Sequence, residues 1–229
     1  MAPEDSEVTA VAVLNGAAPD AERLRGLARV HPVYAADGGA AACAAAGVDP
    51  VWVVGDFDSL AREFLPESWT LVHDPDQNST DFEKLIGRLP PGLDRLIICG
   101  AFGDRFDHVF NNLILAAALP RDLRVELDGD AARLWRVTPA RPFAREFSEQ
   151  QLISLLPMGE VNGVETQGLQ WPLRDADLGP GQGIAQSNRA TGAVTVRVRR
   201  GVLFLWADCN EWDVLRSENE LHPMDNPLA

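Results

Sequence analysis

Val51-Trp52-Val53-Val54-Gly55-Asp56-Phe57-Asp58-Ser59 is a short apolar run that ends in a glycine and two acids. Val51–Val54 reads as a strand, and the acids as the loop that follows it. The same alternation extends to both sides. Upstream, Val8–Leu14 and Val33–Ala36 read as strands, with helices over Ala21–Val30 and the alanine-rich Gly39–Ala46. Downstream, Thr70–Val72, Leu96–Cys99 and Arg124–Leu127 read as strands, and Thr80–Leu89 and Asp107–Leu119 as helices. Apolar strands with helices between them predict βαβ units and a mostly parallel sheet covered on both faces. In such a sheet a ligand sits beyond the carboxyl ends of the strands, so the post-strand loops hold the site.

From about Arg133 the pattern changes. Leu152–Leu156, Gly168–Leu173, Val194–Val198 and Val202–Trp206 are short alternating runs punctuated by turn residues such as Gly179-Pro180-Gly181. They predict antiparallel β, a small sandwich or open barrel. The fold class is therefore α/β, with a Rossmann-like, mostly parallel first domain over residues 1–140. The sandwich covers 141–207, and 208–229 forms a tail whose acids (Asp208, Glu211, Asp213, Glu218, Glu220, Asp225) outnumber Arg216.

The 229 residues carry a formal net charge of −14, with 46% hydrophobic and 24% charged residues. These proportions exclude wholesale disorder. A phosphate backbone needs a basic surface, so no nucleic-acid partner is expected. An acidic protein can still take an anionic substrate where a divalent cation stands between them. The first residues, Met1-Ala2-Pro3-Glu4-Asp5-Ser6-Glu7, are acidic where a signal peptide is basic, and no apolar run approaches the ~18 residues of a membrane span. Neither a leader nor a membrane partner is expected. Cys43, Cys99 and Cys209 lie far apart and read as reduced thiols of a cytoplasmic protein. Lys84 is the only lysine, beside nineteen arginines.

Three post-strand loops carry aspartates. Asp56 and Asp58, at i and i+2 after a glycine, can converge on one cation, and Mg²⁺ takes one or two carboxylates together with phosphate oxygens and water. An Asx-turn explains the same residues without a ligand. In Asp76-Gln77-Asn78-Ser79-Thr80-Asp81-Phe82-Glu83-Lys84 a capping box, Thr80-x-x-Glu83, accounts for the helix start. It does not account for Lys84 on the same helix face as Asp81, where a point cation suits phosphate. In Gly100-Ala101-Phe102-Gly103-Asp104-Arg105-Phe106-Asp107-His108 the glycines admit a ligand to the backbone, and Arg105 offers a fork matched to phosphate. The alternative there is a capped helix with Asp104 paired to His108. Asp37-Gly38-Gly39 supplies a fourth such loop. Neither Gly-x-x-x-x-Gly-Lys-Ser/Thr nor Gly-x-Gly-x-x-Gly occurs. The residues alone lead to a Mg²⁺-dependent phosphoryl or diphosphoryl transfer site.

In this order the segments resemble the thiamine pyrophosphokinase family. The resemblance is carried by Ala36-Asp37-Gly38-Gly39-Ala40, by Asp49-Pro50 leading into Gly55-Asp56-Phe57-Asp58-Ser59, by Asp76-Gln77 with Ser79 to Lys84, and by Gly103 to His108. Gly168-Leu169-Gln170-Trp171-Pro172-Leu173 and Gln186-Ser187-Asn188 are similar to its second-domain motifs. The resemblance implies an enzyme that transfers diphosphate from ATP to the hydroxyethyl group of thiamine, releasing AMP. It implies that Asp56, Asp58, Asp81 and Asp107 hold Mg²⁺ and act in catalysis. It also implies that Asp37, Gly38, Gly39, Gln77, Thr80, Lys84 and Arg105 bind ATP. Trp171 would stack on the thiamine cation, with Ser187 and Asn188 on its pyrimidine side. The first domain would then be the ATP- and Mg²⁺-binding one and the sandwich the thiamine-binding one. The family's form is a homodimer with sites shared between subunits.

Ala41-Ala42 stand where the family usually has Asn-Arg. Two other functions remain beside the leading one. One is diphosphate transfer to another hydroxymethyl heterocycle such as a pterin, and the other is a non-catalytic thiamine- or nucleotide-binding regulator.

Overall fold

A computed structural model describes residues 7–57, 65–103 and 105–208. The chain divides into two compact units, one formed by residues up to Ala116 with Val125–Asp130, the other by Ala117–Arg124 with Ala131 onward.

The first unit is built on six strands: β1 (Thr9–Val13), β2 (Val33–Ala36), β3 (Trp52–Gly55), β4 (Leu71–His73), β5 (Arg95–Cys99) and β6 (Arg124–Asp128). Their spatial order is β6-β5-β1-β2-β3-β4. β1 pairs in parallel with both β2 and β5, and β2–β3 and β3–β4 are parallel too. Every residue of β1 is buried, which is why its sequence is apolar after Thr9 rather than alternating. The helices are α1 (Ala21–Ala28), α2 (Gly39–Ala46), α3 (Asp81–Ile86) and α4 (Phe106–Ala118). α1 and α2 pack side by side, and α2 lies against β1 and β2. Their core includes Val11, Leu24, Ala40, Cys43, Val53 and Ile97. Both described cysteines are buried thiols, and burial pushes Cys43 up to about 12.

Chain order turns back between β1 and β5. The loops leaving those two strands therefore part around a crevice, where open α/β sheets bind ligands. They are tied at their roots, because Leu14 N–H donates to the Cys99 carbonyl at 2.9 Å and Gly16 N–H to the Gly100 carbonyl at 2.8 Å. A Cβ on Gly16 would stand 2.0 Å from the Phe102 carbonyl oxygen, and one on Gly100, whose φ is +68°, would meet the Leu14 oxygen at 2.3 Å. Only glycine fits either position.

The second unit is antiparallel in every pairing. It holds β7 (Ala132–Val137), β8 (Phe143–Glu146), β9 (Leu152–Pro157), β10 (Val161–Leu169), β11 (Ala176–Leu178), β12 (Asn188–Arg197) and β13 (Leu203–Asp208). β12 joins the layers of this sandwich: Asn188 and Arg189 pair with β9, while its remaining length pairs with β8 and β10. Between them lies a core that includes Ile153, Leu155, Val164, Val194 and Leu205.

Two details go beyond the sequence reading. β7, which precedes residue 141, belongs to the second unit and pairs along its whole length with β13. That partner is some seventy residues downstream and leaves no local mark. Gly168–Leu173 is not a strand: β10 stops at Leu169, where Gly168 (φ +69°) sits at a register shift, and the chain turns away before Trp171. Asp58, Asp104, Cys209 and the tail beyond Asp208 lie outside the described residues. Among the described residues no helix is long and apolar enough to cross a membrane.

Arg136, on β7, is 4% exposed. It donates to the carbonyls of Leu119 (2.8 Å), Pro120 (2.6 Å) and Leu123 (2.6 Å), closing the turn that follows α4. Burial lowers its guanidinium to about 10. Arg136→Leu leaves those carbonyls without their donor and is expected to remove about 3 kcal/mol. The melting temperature then falls by roughly 6–12 °C by calorimetry; a change below about 2 °C would contradict this account of the turn.

Candidate functional site

A cleft of about 730 Å³ opens in the first unit at the crevice between β1 and β5. The loop after β1 (Leu14–Ala17) and the loop after β5 (Ala101–Gly103) form one side. Asp56 after β3, and Gln77, Thr80, Asp81 and Lys84 around the start of α3, form another; Arg105 and Asp107 enter at the start of α4. Seven of the residues singled out from the sequence thus line one cavity. Asp37, Gly38 and Gly39 are not on its wall. Gly38 and Gly39 lie where a Cβ would strike the Asn15 side chain and the Val13 carbonyl, at 1.9 and 2.1 Å, so they let α2 start close against β1.

The charged wall is tightly arranged. Gln77 Nε2 donates to Asp56 Oδ2 at 3.0 Å, which bridges the loops after β3 and β4. α3 begins with a complete capping box: Thr80 Oγ1 accepts from Glu83 N–H at 3.3 Å, and Glu83 Oε2 accepts from Thr80 N–H at 2.8 Å. That box fixes the first turn, on which Lys84 Nζ stands 3.6 Å from Asp81 Oδ1. Lys84 is only 4% exposed, so its charge works in a poorly screened setting. Burial raises the Asp81 carboxyl, Lys84 draws it back, and Asp56 pushes it up again. Arg105 and Asp107 hold each other through two bonds, Nη2 to Oδ2 at 2.6 Å and Nε to Oδ1 at 3.2 Å. Arg105 holds the Asp107 carboxyl down at about 2.

Behind this wall Asp37 is 2% exposed. Its Oδ2 accepts from Phe57 N–H at 2.9 Å, and its Oδ1 is buried with no hydrogen-bond partner. Phe57 has φ +59°, a left-handed backbone that a bulky residue adopts only when held. Burial raises the Asp37 carboxyl, the Phe57 N–H bond draws it back, Asp81 and Asp56 push it up again, and Lys84 lowers it.

The donor set suits Mg²⁺ in kind. Asp56, Asp81 and Asp107 offer hard carboxylate oxygens, and those that crowd one another are relieved by a cation. Among the described residues no three acidic, histidine or cysteine side chains close on one point. A cation here would complete its shell with phosphate oxygens and water, as Mg²⁺ commonly does.

In the second unit Trp171 is 56% exposed. Asn188 is buried, and its amide is used on both sides by the Trp171 backbone: Oδ1 accepts from Trp171 N–H at 3.1 Å and Nδ2 donates to the Trp171 carbonyl at 2.7 Å. Asn188 therefore holds the turn that presents the indole. Ser187, with φ +57°, is exposed and anchored through its N–H to Ser154 Oγ at 3.0 Å.

The family description "Thiamin pyrophosphokinase, catalytic domain" matches residues 27–135, and "Thiamin pyrophosphokinase, vitamin B1 binding domain" matches residues 142–203. Together the two matches take in most of the chain. The chain belongs to the thiamin pyrophosphokinase family. It is 26% identical over 175 residues to thiamine pyrophosphokinase 1 of rice, covering 69% of this chain and 65% of that one. To thiamine pyrophosphokinase 1 of Arabidopsis thaliana it is 31% identical over 158 residues, covering 61% and 58%. The chain thus spans just under two thirds of the length of these plant relatives. The crystal structure of thiamine pyrophosphokinase from Bacillus subtilis superposes with a TM-score of 0.76 at 21% identity, over 88% of this chain and 99% of that one. This similarity extends the expected fold to both units.

The cleft also contains residues that the sequence reading passed over: Asn15, Gly16, Asn111 and Asn112. Asn15-Gly16 directly after a buried strand is the same signal that marked the other loops, but it carries no charge. Asn111 and Asn112 lie inside a helix, where nothing local distinguishes a cleft-facing amide from an ordinary one. Ala41, at the departure from the family pattern, is exposed on α2.

Removing the Lys84 charge is expected to raise the Asp81 carboxyl further, because Lys84 is what draws it down. With a native value above the unfolded one, the stability contributed by Asp81 is present at low pH and is lost as pH rises through the folded value. Carboxyl-carbon NMR titration of Lys84→Met checks this; an unchanged or lowered Asp81 would contradict the coupling.

Proposed function

We propose that this chain is a thiamine diphosphokinase, transferring diphosphate from ATP to the hydroxyethyl group of thiamine to give thiamine diphosphate and AMP. The observation that carries the proposal is the convergence of Asp56, Asp81 and Asp107 with Lys84 and Arg105 on one cleft at the turning point of a parallel sheet. The plant relatives named thiamine pyrophosphokinase 1 support the same reading.

In this mechanism the thiamine hydroxyl oxygen bonds to the β-phosphorus of ATP, the bond from that phosphorus to the α–β bridging oxygen breaks, and AMP leaves with that oxygen. The hydroxyl proton passes to solvent or to a carboxylate of the cleft. The protein's work is orientation and charge. Lys84, fixed by burial, and Gln77 bind phosphate oxygens, and Arg105 exchanges Asp107 for phosphate when the nucleotide enters. Thr80 serves through its cap, which sets α3 and with it Asp81 and Lys84. Asp56, Asp58, Asp81 and Asp107 would hold Mg²⁺, which when bound neutralises charge growing on the transferred group. Trp171 stacks on the thiamine cation, with Asn188 holding its turn and the exposed Ser187 beside it.

The proposal includes a homodimer. Phe106, Phe110 and Ile114 repeat along one face of α4 and are exposed by 76%, 53% and 44%. Such a stripe on a surface helix is relieved when a second copy covers it. Mg²⁺ dependence, a cytoplasmic location and the lack of nucleic-acid or membrane partners complete the reading.

Incubation with thiamine, ATP and Mg²⁺ is expected to yield AMP and thiamine diphosphate in equal amounts by chromatography. Asp56→Asn and Asp81→Asn are expected to lower kcat roughly 100-fold or more with the fold intact. Thiamine binding without AMP release would instead indicate a binding module, and AMP formed only with another alcohol would indicate a different acceptor.

A further inference from the structure

The resemblance assigns Asp37 to the nucleotide, but its position does not suit that task. It is buried, it is absent from the cleft wall, and it spends one oxygen on the backbone of the neighbouring loop. The contact is close: a Cβ on Gly55 would lie 2.4 Å from Asp37 Cβ, so the side chain rests directly on the end of β3. From there Oδ2 reaches Phe57 N–H, and Phe57 keeps its left-handed φ with its ring buried and stacked against His73 at 6.3 Å between centroids. Asp56 is the residue between Gly55 and Phe57. With both of its neighbours fixed by Asp37, its side chain has one place to go, the cleft wall where Gln77 meets it.

We infer that Asp37 is a positioning residue: as hydrogen-bond acceptor for Phe57 N–H it holds the left-handed turn after β3 and so sets the place of Asp56, a task that needs an acceptor oxygen at that point and not a negative charge. The carboxyl meets the loop through one oxygen: Oδ2 takes the Phe57 N–H, while Oδ1 is buried with no hydrogen-bond partner. Charge enters with both signs, since Asp81 and Asp56 repel a negative Asp37 while the Phe57 bond and Lys84 favour it. A left-handed backbone at a bulky residue is unfavourable unless its surroundings over-determine it, and the Asp37 bond supplies that restraint. The inference rests on the proposed diphosphate-transfer site for its kinetic consequence, though not for its structural one.

The test compares Asp37→Asn, which keeps an acceptor oxygen of the same shape without the charge, with Asp37→Leu, which keeps the volume without the acceptor. Amide hydrogen exchange at Phe57, followed by NMR without nucleotide, reads the bond itself, and steady-state kinetics reads its effect on Asp56. Asp37→Asn is expected to leave Phe57 protected and kcat within about threefold of the parent. Asp37→Leu is expected to speed Phe57 exchange about tenfold or more and to lower kcat about tenfold, with a smaller change in KM for ATP. If Asp37→Asn loses activity as completely as Asp56→Asn while Phe57 stays protected, the charge is what matters and the inference is wrong. Loss of Phe57 protection in Asp37→Asn, or its retention in Asp37→Leu, overturns the inference as well. Should Asp37→Leu fail to fold, Asp37→Asn decides alone. Should the parent make no AMP, the proposed function fails, while the exchange rates still report whether Asp37 holds the turn.

Discussion

Mutual repulsion among carboxylates at one end of a sheet is the constraint around which the first unit is built. Asp37, Asp56 and Asp81 stand near enough for Asp56 to raise both of the others, and for Asp81 to raise Asp37. Parallel strands impose this crowding, because each loop that leaves a carboxyl end arrives at the same edge. The chain answers it locally. Its only lysine is buried beside Asp81, an amide from Gln77 bridges to Asp56, and a backbone N–H is given to Asp37. Asp107, further out, carries its own arginine. These devices make the acids tolerable and leave Asp56, Asp81 and Asp107 on the wall of one cavity.

The pairing of Arg105 with Asp107 has a second consequence. In the ligand-free molecule each satisfies the other at an exposed position, where an ion pair adds little stability. The proposed function uses that weakness: there phosphate takes the guanidinium while the carboxylate turns to the cation. Lys84 has no such freedom, because burial fixes it beside Asp81. In the second unit the same economy appears around Trp171, whose backbone is clamped by Asn188 so that the indole is presented without a strand beneath it.

Much of this was legible in the sequence. Apolar runs gave the strands of the first unit to within about a residue, because those inside the sheet are buried on both faces and carry no other pattern. The charged wall was legible since carboxylates after buried strands are conspicuous. What escaped had physical reasons. β7 is defined by its pairing with β13, and the end of β10 by a bulge at Gly168, and neither long-range register nor a bulge leaves a local trace. Asn15 and Asn112 are uncharged and blend with ordinary loop and helix residues. Asp37 and Asn188 were found as motif members, yet their work is to hold Phe57 and Trp171 in place, which only the hydrogen bonds reveal. Thr80 is similar: its hydroxyl belongs to the capping box before any ligand arrives.

On the proposed function, a cation is held jointly by the carboxylates of the cleft and by substrate phosphates. Mn²⁺ binding followed by electron paramagnetic resonance, with and without a non-hydrolysable ATP analogue, tests this directly. The account predicts weak binding to the protein alone and affinity about tenfold tighter or more with the analogue present. Equal affinity in both conditions would contradict it.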